Sequence, residues 1–113
     1  MNRPTRFYST RQEKKIAKAV SGKRQANSGA TAFAKGDIIT KNWLIEAKTV
    51  TKPQKSFTIQ KDWIMKNQEE AFAMGREHSA LAIDFGDGDN YIVVDLSTFI
   101  KLQQALEREE END

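Results

Sequence analysis

Hydrophobic and polar positions alternate most clearly between residues 35 and 50 of this 113-residue chain. The stretch KGDIITKNWLIEAKTV predicts two short strands joined by a tight turn at residues 41–42. Because successive side chains point to opposite faces of a strand, Leu44, Glu46 and Lys48 share one face and the residues between them share the other. A carboxylate and an ammonium in the middle of an apolar strand require compensation, which a cation and a phosphate would supply.

Helical spacing of apolar residues predicts a helix on either side of this hairpin. The first helix is expected to be capped by Ser9 or Thr10 and to end near Gly22. The second covers residues 61–74 and ends at a glycine.

The last third of the chain predicts two strands, at residues 80–85 and 91–96, and a final helix capped by Ser97. The inner side of this helix is expected to carry the apolar residues Phe99, Leu102 and Leu106. A further short strand is expected around residues 31–34.

The order helix, strands, helix, strand, strand, helix predicts an α/β fold with a small mixed sheet flanked by helices. The length fits a single domain spanning residues 1–113. Residues 1–8 are expected to form a flexible basic arm, and residues 107–113 an acidic tail that frays.

The net charge of +2 conceals a strong asymmetry between the two halves of the chain. Residues 1–61 contain 14 Lys and Arg against 3 acids, which gives +11, and residues 62–113 contain 4 against 13, which gives −9. A basic half of this strength indicates a surface that binds a polyanion. Its three acids, Glu13, Asp37 and Glu46, are therefore candidates for a specific task.

The composition excludes several classes of site. With no cysteine and one histidine, the chain offers neither a disulfide framework nor a thiolate or His-rich zinc site. Any metal it holds should be a hard cation with oxygen ligands. No apolar run reaches the length of a membrane span, so a protein without membrane contact, located in the cytoplasm, is expected.

The hairpin carries the residues that hydrolysis of a phosphodiester requires. Asp37 and Glu46 are candidate ligands for one or two Mg²⁺ ions, with the Ala47 carbonyl as a third ligand. Lys48, on the same face as Glu46, would lie beside the scissile phosphate. Glu13, from the first helix, would complete the shell of the cation.

Each of these residues also has a structural interpretation. Thr10-x-x-Glu13 fits a capping box, in which Glu13 serves only the helix start. Glu46 and Lys48 fit an exposed ion pair on a one-sided sheet.

Contacts to the phosphate backbone are expected from the basic half, because Lys and Arg bind phosphates without reading bases. The candidates are Arg3, Arg6, Arg11, Lys14, Lys15, Lys18, Lys23 and Arg24. Ser28, followed by a glycine, offers a hydroxyl and backbone N–H groups to a phosphate. The alternative for the Ser28 segment is a flexible connector.

Gly36-Asp37, followed by Glu46-Ala47-Lys48 and preceded by Glu13, resembles the motif of the PD-(D/E)XK nuclease superfamily. Over about residues 9–100 the chain resembles the small Holliday-junction resolvases of archaeal and phage type. Gly36 stands where that family usually has a proline.

The resemblance implies a restriction-endonuclease-like fold and a Mg²⁺-dependent endonuclease, with Mn²⁺ as a substitute. It further implies an intracellular homodimer, phage-encoded or cellular, that nicks paired strands of four-way junctions in branched DNA. By this likeness Glu13, Asp37, Glu46 and Lys48 form the catalytic set, and the Ser28 loop contacts the substrate.

Where the chain enters the second helix, Gln60 and Lys61 are candidates to support the site, because the superfamily often has a polar residue there. The alternative is that Lys61 is a surface residue of the first helical turn.

Two other functions fit the same residues. One is a related nuclease that acts on other branched, nicked or linear DNA. The other is a DNA-binding module without catalysis, in which the acids of the hairpin are structural.

Overall fold

The computed structural model describes residues 5–25 and 37–112, with side chains from Phe7 onward. Within these ranges the elements are α1 (Thr5–Val20), β1 (Lys23–Arg24), β2 (Ile38–Ile39), β3 (Trp43–Thr49), α2 (Lys61–Ala73), β4 (His78–Asp84), β5 (Asn90–Val93) and α3 (Leu96–Glu111). Arg3, Ser28 and the strand predicted at residues 31–34 lie outside the described residues, as does the side chain of Arg6.

The five strands form one mixed sheet in the order β1-β2-β3-β4-β5. Only β3 and β4 run parallel, with α2 as the connection between them, and the other neighbours are antiparallel. β4 is central and buried along most of its length, which explains its nearly continuous apolar sequence. The predicted α/β class with a mixed sheet is therefore confirmed.

The predicted hairpin is the β2–β3 pair. Ile38 lies opposite Ile45, and the Thr40 N–H donates to the Trp43 carbonyl at 3.0 Å. The Thr40 hydroxyl accepts in turn from the Trp43 N–H at 3.1 Å, so that residues 41–42 form the turn.

Helix α1 covers one face of the sheet. Its Ile16 packs into a core with Ile38, Ile45 and alanines of β3 and β4. Ile45 and Ala47 therefore face α1, as the alternation along β3 predicts.

Helix α2 covers the opposite face, to which Leu44 of β3 and Leu81 of β4 contribute fully buried side chains. Asn67 of α2 is also buried, and its amide donates to the carbonyls of Ala80 at 2.9 Å and Leu44 at 3.4 Å. The amide thus joins α2 to both central strands.

The predicted start of the first helix is wrong. α1 begins at Thr5, so part of the segment expected as a flexible arm is helical and Thr10 lies inside the helix. Glu13 is in the third turn, where a capping box is impossible because the first turn alone has free N–H groups.

The end of α1 fits the prediction. Ser21 has a φ of 55°, and the Gly22 N–H donates to the Ala17 carbonyl at 2.8 Å, as in a Schellman motif. A Cβ on Gly22 would lie 2.7 Å from the Ile39 carbonyl, so β2 can approach α1 only because this residue is glycine.

The prediction for the last helix is wrong in three respects. α3 begins at Leu96, because Asp95 and not Ser97 is the cap and accepts from the Thr98 N–H at 2.8 Å. The helix continues to Glu111 through most of the predicted frayed tail. The apolar side chains expected to be buried are exposed: Phe99 by 55%, Leu102 by 43% and Leu106 by 60%.

None of the described helices is both long and apolar enough to cross a membrane.

Because Ile38 is fully buried where α1 meets the hairpin, Ile38→Ala should reduce the free energy of unfolding by about 2–5 kcal/mol. Ile92, which is 54% exposed, provides the matched control, and Ile92→Ala should lose less than about 1 kcal/mol. Urea unfolding measures both changes. Equal losses would show that the hairpin does not pack as described.

Candidate active site

Asp37 lies immediately before β2, at the end of the hairpin. Since Ile38 pairs with Ile45, continuation of this register brings Asp37 opposite Glu46, on the same face of the sheet. The Asp37 carboxylate accepts from the Ala47 N–H at 2.8 Å. This hydrogen bond fixes the position of Asp37 relative to β3, the strand that carries Glu46 and Lys48.

The backbone N–H and carbonyl of Ala47 both point towards Asp37. Along β3, the carbonyl of Trp43 points towards β2, where it accepts from Thr40. Backbone groups on alternate residues of a strand point to the same side, so the Ala47 carbonyl also points towards the Asp37 side. The Ala47 carbonyl, which the sequence offers as a third ligand, thus lies on the side of β3 that Asp37 occupies.

Lys48 lies on the α2 side of β3 together with Glu46. Its Nζ is 3.5 Å from Glu46 Oε1 and 4.4 Å from the centre of the Trp63 ring in the first turn of α2. Both charged side chains are mostly covered, with 28% of Lys48 and 21% of Glu46 exposed. A cation over an aromatic face is attracted by the ring, so Trp63 helps to orient the lysine.

Glu13 reaches the site from α1. Only 15% of its side chain is exposed, and its Oε1 lies 3.4 Å from Nε of Arg24 on β1. Glu13 therefore lies on the side of α1 that faces the sheet and does not cap the helix.

The charged side chains near Asp37 affect its ionisation. Burial raises the pKa of the Asp37 carboxyl from 3.8 to about 7, and the bond from the Ala47 N–H opposes this shift. The carboxylates of Glu13 and Glu46 raise the pKa of Asp37 further, and the ammonium of Lys48 lowers it.

The described residues include no group of three or more His, Cys, Asp and Glu side chains arranged to hold a metal ion. The predicted three-carboxylate cluster is therefore not assembled, because each acid has its own partner: Arg24, the Ala47 N–H or Lys48. Three carboxylates brought together without a cation would repel one another.

The residues present nevertheless fit Mg²⁺. This ion usually takes one or two carboxylates and retains several waters, so Asp37, Glu46 and the Ala47 carbonyl suffice. A carboxylate has about four acceptor positions, which leaves Asp37 able to accept from Ala47 and bind a cation at once.

The basic residues of α1 form one exposed face, which we call the basic face. Arg11, Lys14, Lys15 and Lys18 are spaced at i, i+3, i+4 and i+7, and all are exposed. The Lys15 amine donates to the Gly88 carbonyl. Lys23 and Arg24 are exposed on β1, next to the same helix.

Two residues of the site were missed from the sequence. Gln12 is only 3% exposed, and its amide donates to the carbonyls of Lys48 at 3.0 Å and Ala82 at 3.1 Å. Trp63 was assigned only to the helix pattern. Both act through contacts distant in sequence, which local patterns do not report.

Gln60 and Lys61 lie where the chain enters α2, as expected. Both are exposed at the start of α2, where Gln60 is the N-cap residue without a capping side-chain bond. The contact from this turn to Lys48 comes from Trp63 instead.

No model of a protein family, no curated protein and no solved structure matches this chain. Function is therefore inferred from the chemistry and geometry of the site.

The raised pKa of Asp37 predicts how stability depends on pH in metal-free protein. Between pH 3.8 and about 7 the carboxyl ionises in the unfolded chain and stays protonated in the folded one, so stability should fall as the pH rises. A shift of about three pKa units limits this loss to roughly 4 kcal/mol.

Asp37→Asn keeps an oxygen acceptor for the Ala47 N–H and removes the titration. The difference in unfolding free energy between the variant and wild type should therefore grow from pH 4 to pH 7 and stay constant above it. A difference independent of pH in urea titrations would contradict the burial of an ionisable Asp37.

Proposed function

We propose that this protein is a Mg²⁺-dependent endonuclease that cuts branched DNA, with four-way junctions as its preferred substrate. The observation that carries the proposal is the end of the hairpin, where Asp37 is bound to the Ala47 N–H opposite Glu46, with Lys48 beside it. A DNA-binding surface gains nothing from carboxylates that repel phosphate unless a cation lies between them. The resemblance to the PD-(D/E)XK nucleases and a restriction-endonuclease-like fold belongs to this proposal.

Each residue has a distinct task in the proposed reaction. Asp37, Glu46 and the Ala47 carbonyl would hold Mg²⁺, with Glu13 as a further carboxylate nearby. At this position the ion would supply an activated water molecule and neutralise charge on the phosphate.

Lys48 stabilises the negative charge that develops on the phosphate, and the face of Trp63 keeps its amine in place. Gln12 holds the Lys48 carbonyl from the other side of the strand, which limits movement of the backbone that carries the amine.

The basic face of α1 supports binding to the phosphate backbone. Arginine and lysine contacts of this kind detect the shape of a nucleic acid and not its sequence, which suits a structure-selective enzyme. Paired cuts in a junction require two sites at a fixed distance, so we include a homodimer in the proposal.

A second function is favoured by a specific observation. Glu13 and Glu46 each have a basic partner within the chain, at 3.4 Å and 3.5 Å. Acids neutralised in this way are compatible with a DNA-binding module that has no catalytic activity.

Cleavage of a labelled four-way junction separates these functions. Glu46→Gln and Lys48→Met should each reduce the cutting rate at least about 100-fold in Mg²⁺, because each removes a group that acts on the transition state. Binding of the junction should change less than about threefold, since the basic face is intact.

Matched controls are Glu69→Gln and Lys101→Met, which make the same chemical changes at exposed positions of α2 and α3. Both should cut at the wild-type rate, and chelation of Mg²⁺ should abolish cutting by all variants. Wild-type protein that shifts the junction on a gel without cutting it would favour the DNA-binding module. Comparison of junction, flap, nicked and linear DNA identifies the substrate if cutting occurs.

The contact between Lys48 and Trp63 provides a separate prediction. Trp63→Leu removes the aromatic face, and the turnover rate should fall roughly five- to thirty-fold, as expected for a cation–π contact of about 1–2 kcal/mol. Trp63→Phe retains a ring and should recover most of the rate. DNA affinity should be unchanged in both variants. Equal rates for Leu and Phe would show that the ring does not position the amine.

A further inference from the structure

Helix α3 carries an apolar stripe that the described chain does not cover. None of its residues is buried, and Leu96 is 73% exposed, Phe99 55%, Leu102 43% and Leu106 60%. At 100° per residue these side chains fall within roughly 120° of the helix circumference. Exposed apolar surface of this extent marks a contact with another molecule.

The same chain has an apolar groove on the α2 side of β4 and β5, which we call the Tyr91 groove. The groove has a volume of about 500 Å³, and its lining includes Ile59, Ile83, Phe85, Tyr91 and Val93. Phe85 is held edge-on between Phe57 at 5.8 Å and Tyr91 at 5.7 Å, so the floor of the groove is well packed. Tyr91 itself is 56% exposed.

The charges around the stripe and the groove are complementary. Glu107 and Glu110 follow Leu106 on the same side of α3, whereas Lys101 and Arg108 lie on the opposite side. Lys55 lines the groove, and Lys52 is exposed in the same segment, where residues 50–60 contain no acid. The groove also includes Asp87, so its positive charge is concentrated at the Lys55 side.

We propose that α3 of one copy packs into the Tyr91 groove of a second copy, with the acidic end of the stripe at Lys55, and that the second copy does the same in return. Such an exchange is two-fold symmetric and closes after two subunits. The inference identifies the interface of the homodimer included in the proposed function and depends on that function only for its purpose, paired cutting.

The groove leaves the basic face of α1 free and adjoins Lys48, whose register partner Ile83 is part of its lining. The groove is at β4 and β5 on the α2 face of the sheet, whereas the basic face belongs to α1 on the other face. Two subunits joined through α3 therefore still present both basic faces to DNA.

Sedimentation velocity over a range of concentrations tests the interface without DNA or Mg²⁺. Wild type should be a dimer, and Phe99→Glu combined with Leu106→Glu should raise the dissociation constant at least about 100-fold. The matched control is Ala105→Glu, which adds a carboxylate on the opposite side of α3. Because no residue of α3 is buried, these variants should still fold, and thermal unfolding checks this.

Variants of the groove test its assignment. Tyr91→Glu and Lys55→Glu should each weaken the dimer about tenfold or more, and Glu110→Lys should restore association when combined with Lys55→Glu. If the α3 variant dissociates while both groove variants remain dimeric, the helices pair with each other and the groove assignment is wrong.

Wild type that remains monomeric at about 100 µM overturns the inference, because another molecule must then cover the stripe. A dimer that cuts no DNA would refute the proposed nuclease and leave the interface intact. A monomer that cuts junctions would support the proposed nuclease and refute the interface.

Discussion

The hydrogen bond from the Ala47 N–H to the Asp37 carboxylate is the constraint on which the proposed site depends. It holds a buried acid at the end of the hairpin, where nearby carboxylates make its ionisation costly. The cost of a buried charge falls when a cation approaches, so the same arrangement that disfavours the ionised acid favours a metal ion. Trp63 and Gln12 restrict Lys48 from opposite sides of β3, which leaves the strand little freedom to move away.

The sheet separates two surfaces with different chemistry. The basic face of α1 lies on one side, next to the hairpin, and the Tyr91 groove lies on the other side, at the far edge of the sheet. The sheet thus separates the basic face, which comes from the first half of the chain, from the groove, which is lined by residues of both halves.

The sequence predicted the hairpin well because strict alternation determines which face each side chain occupies, and the burial of Leu44 and Ile45 on opposite faces confirms it. The starts of α1 and α3 were predicted poorly, since Thr10 and Ser97 are good capping residues that happen to lie inside helices, whereas α2 begins at Lys61 as predicted. The stripe of α3 was assigned to the core because an amphipathic pattern shows that a helix has an apolar side and not which molecule covers it. Gln12 was missed for a related reason, as its partners are up to 78 residues away in the chain.

Paramagnetic broadening by Mn²⁺ in amide NMR spectra tests the central claim most directly, because it locates a bound cation without requiring activity. At pH 8, addition of Mn²⁺ should broaden the amide signals of Ala47 and its neighbours first and leave that of Glu69 on α2 unaffected. Asp37→Asn should abolish the selective loss at Ala47. Broadening confined to the acidic end of α3, with the Ala47 signal unchanged, would contradict a metal site at the hairpin.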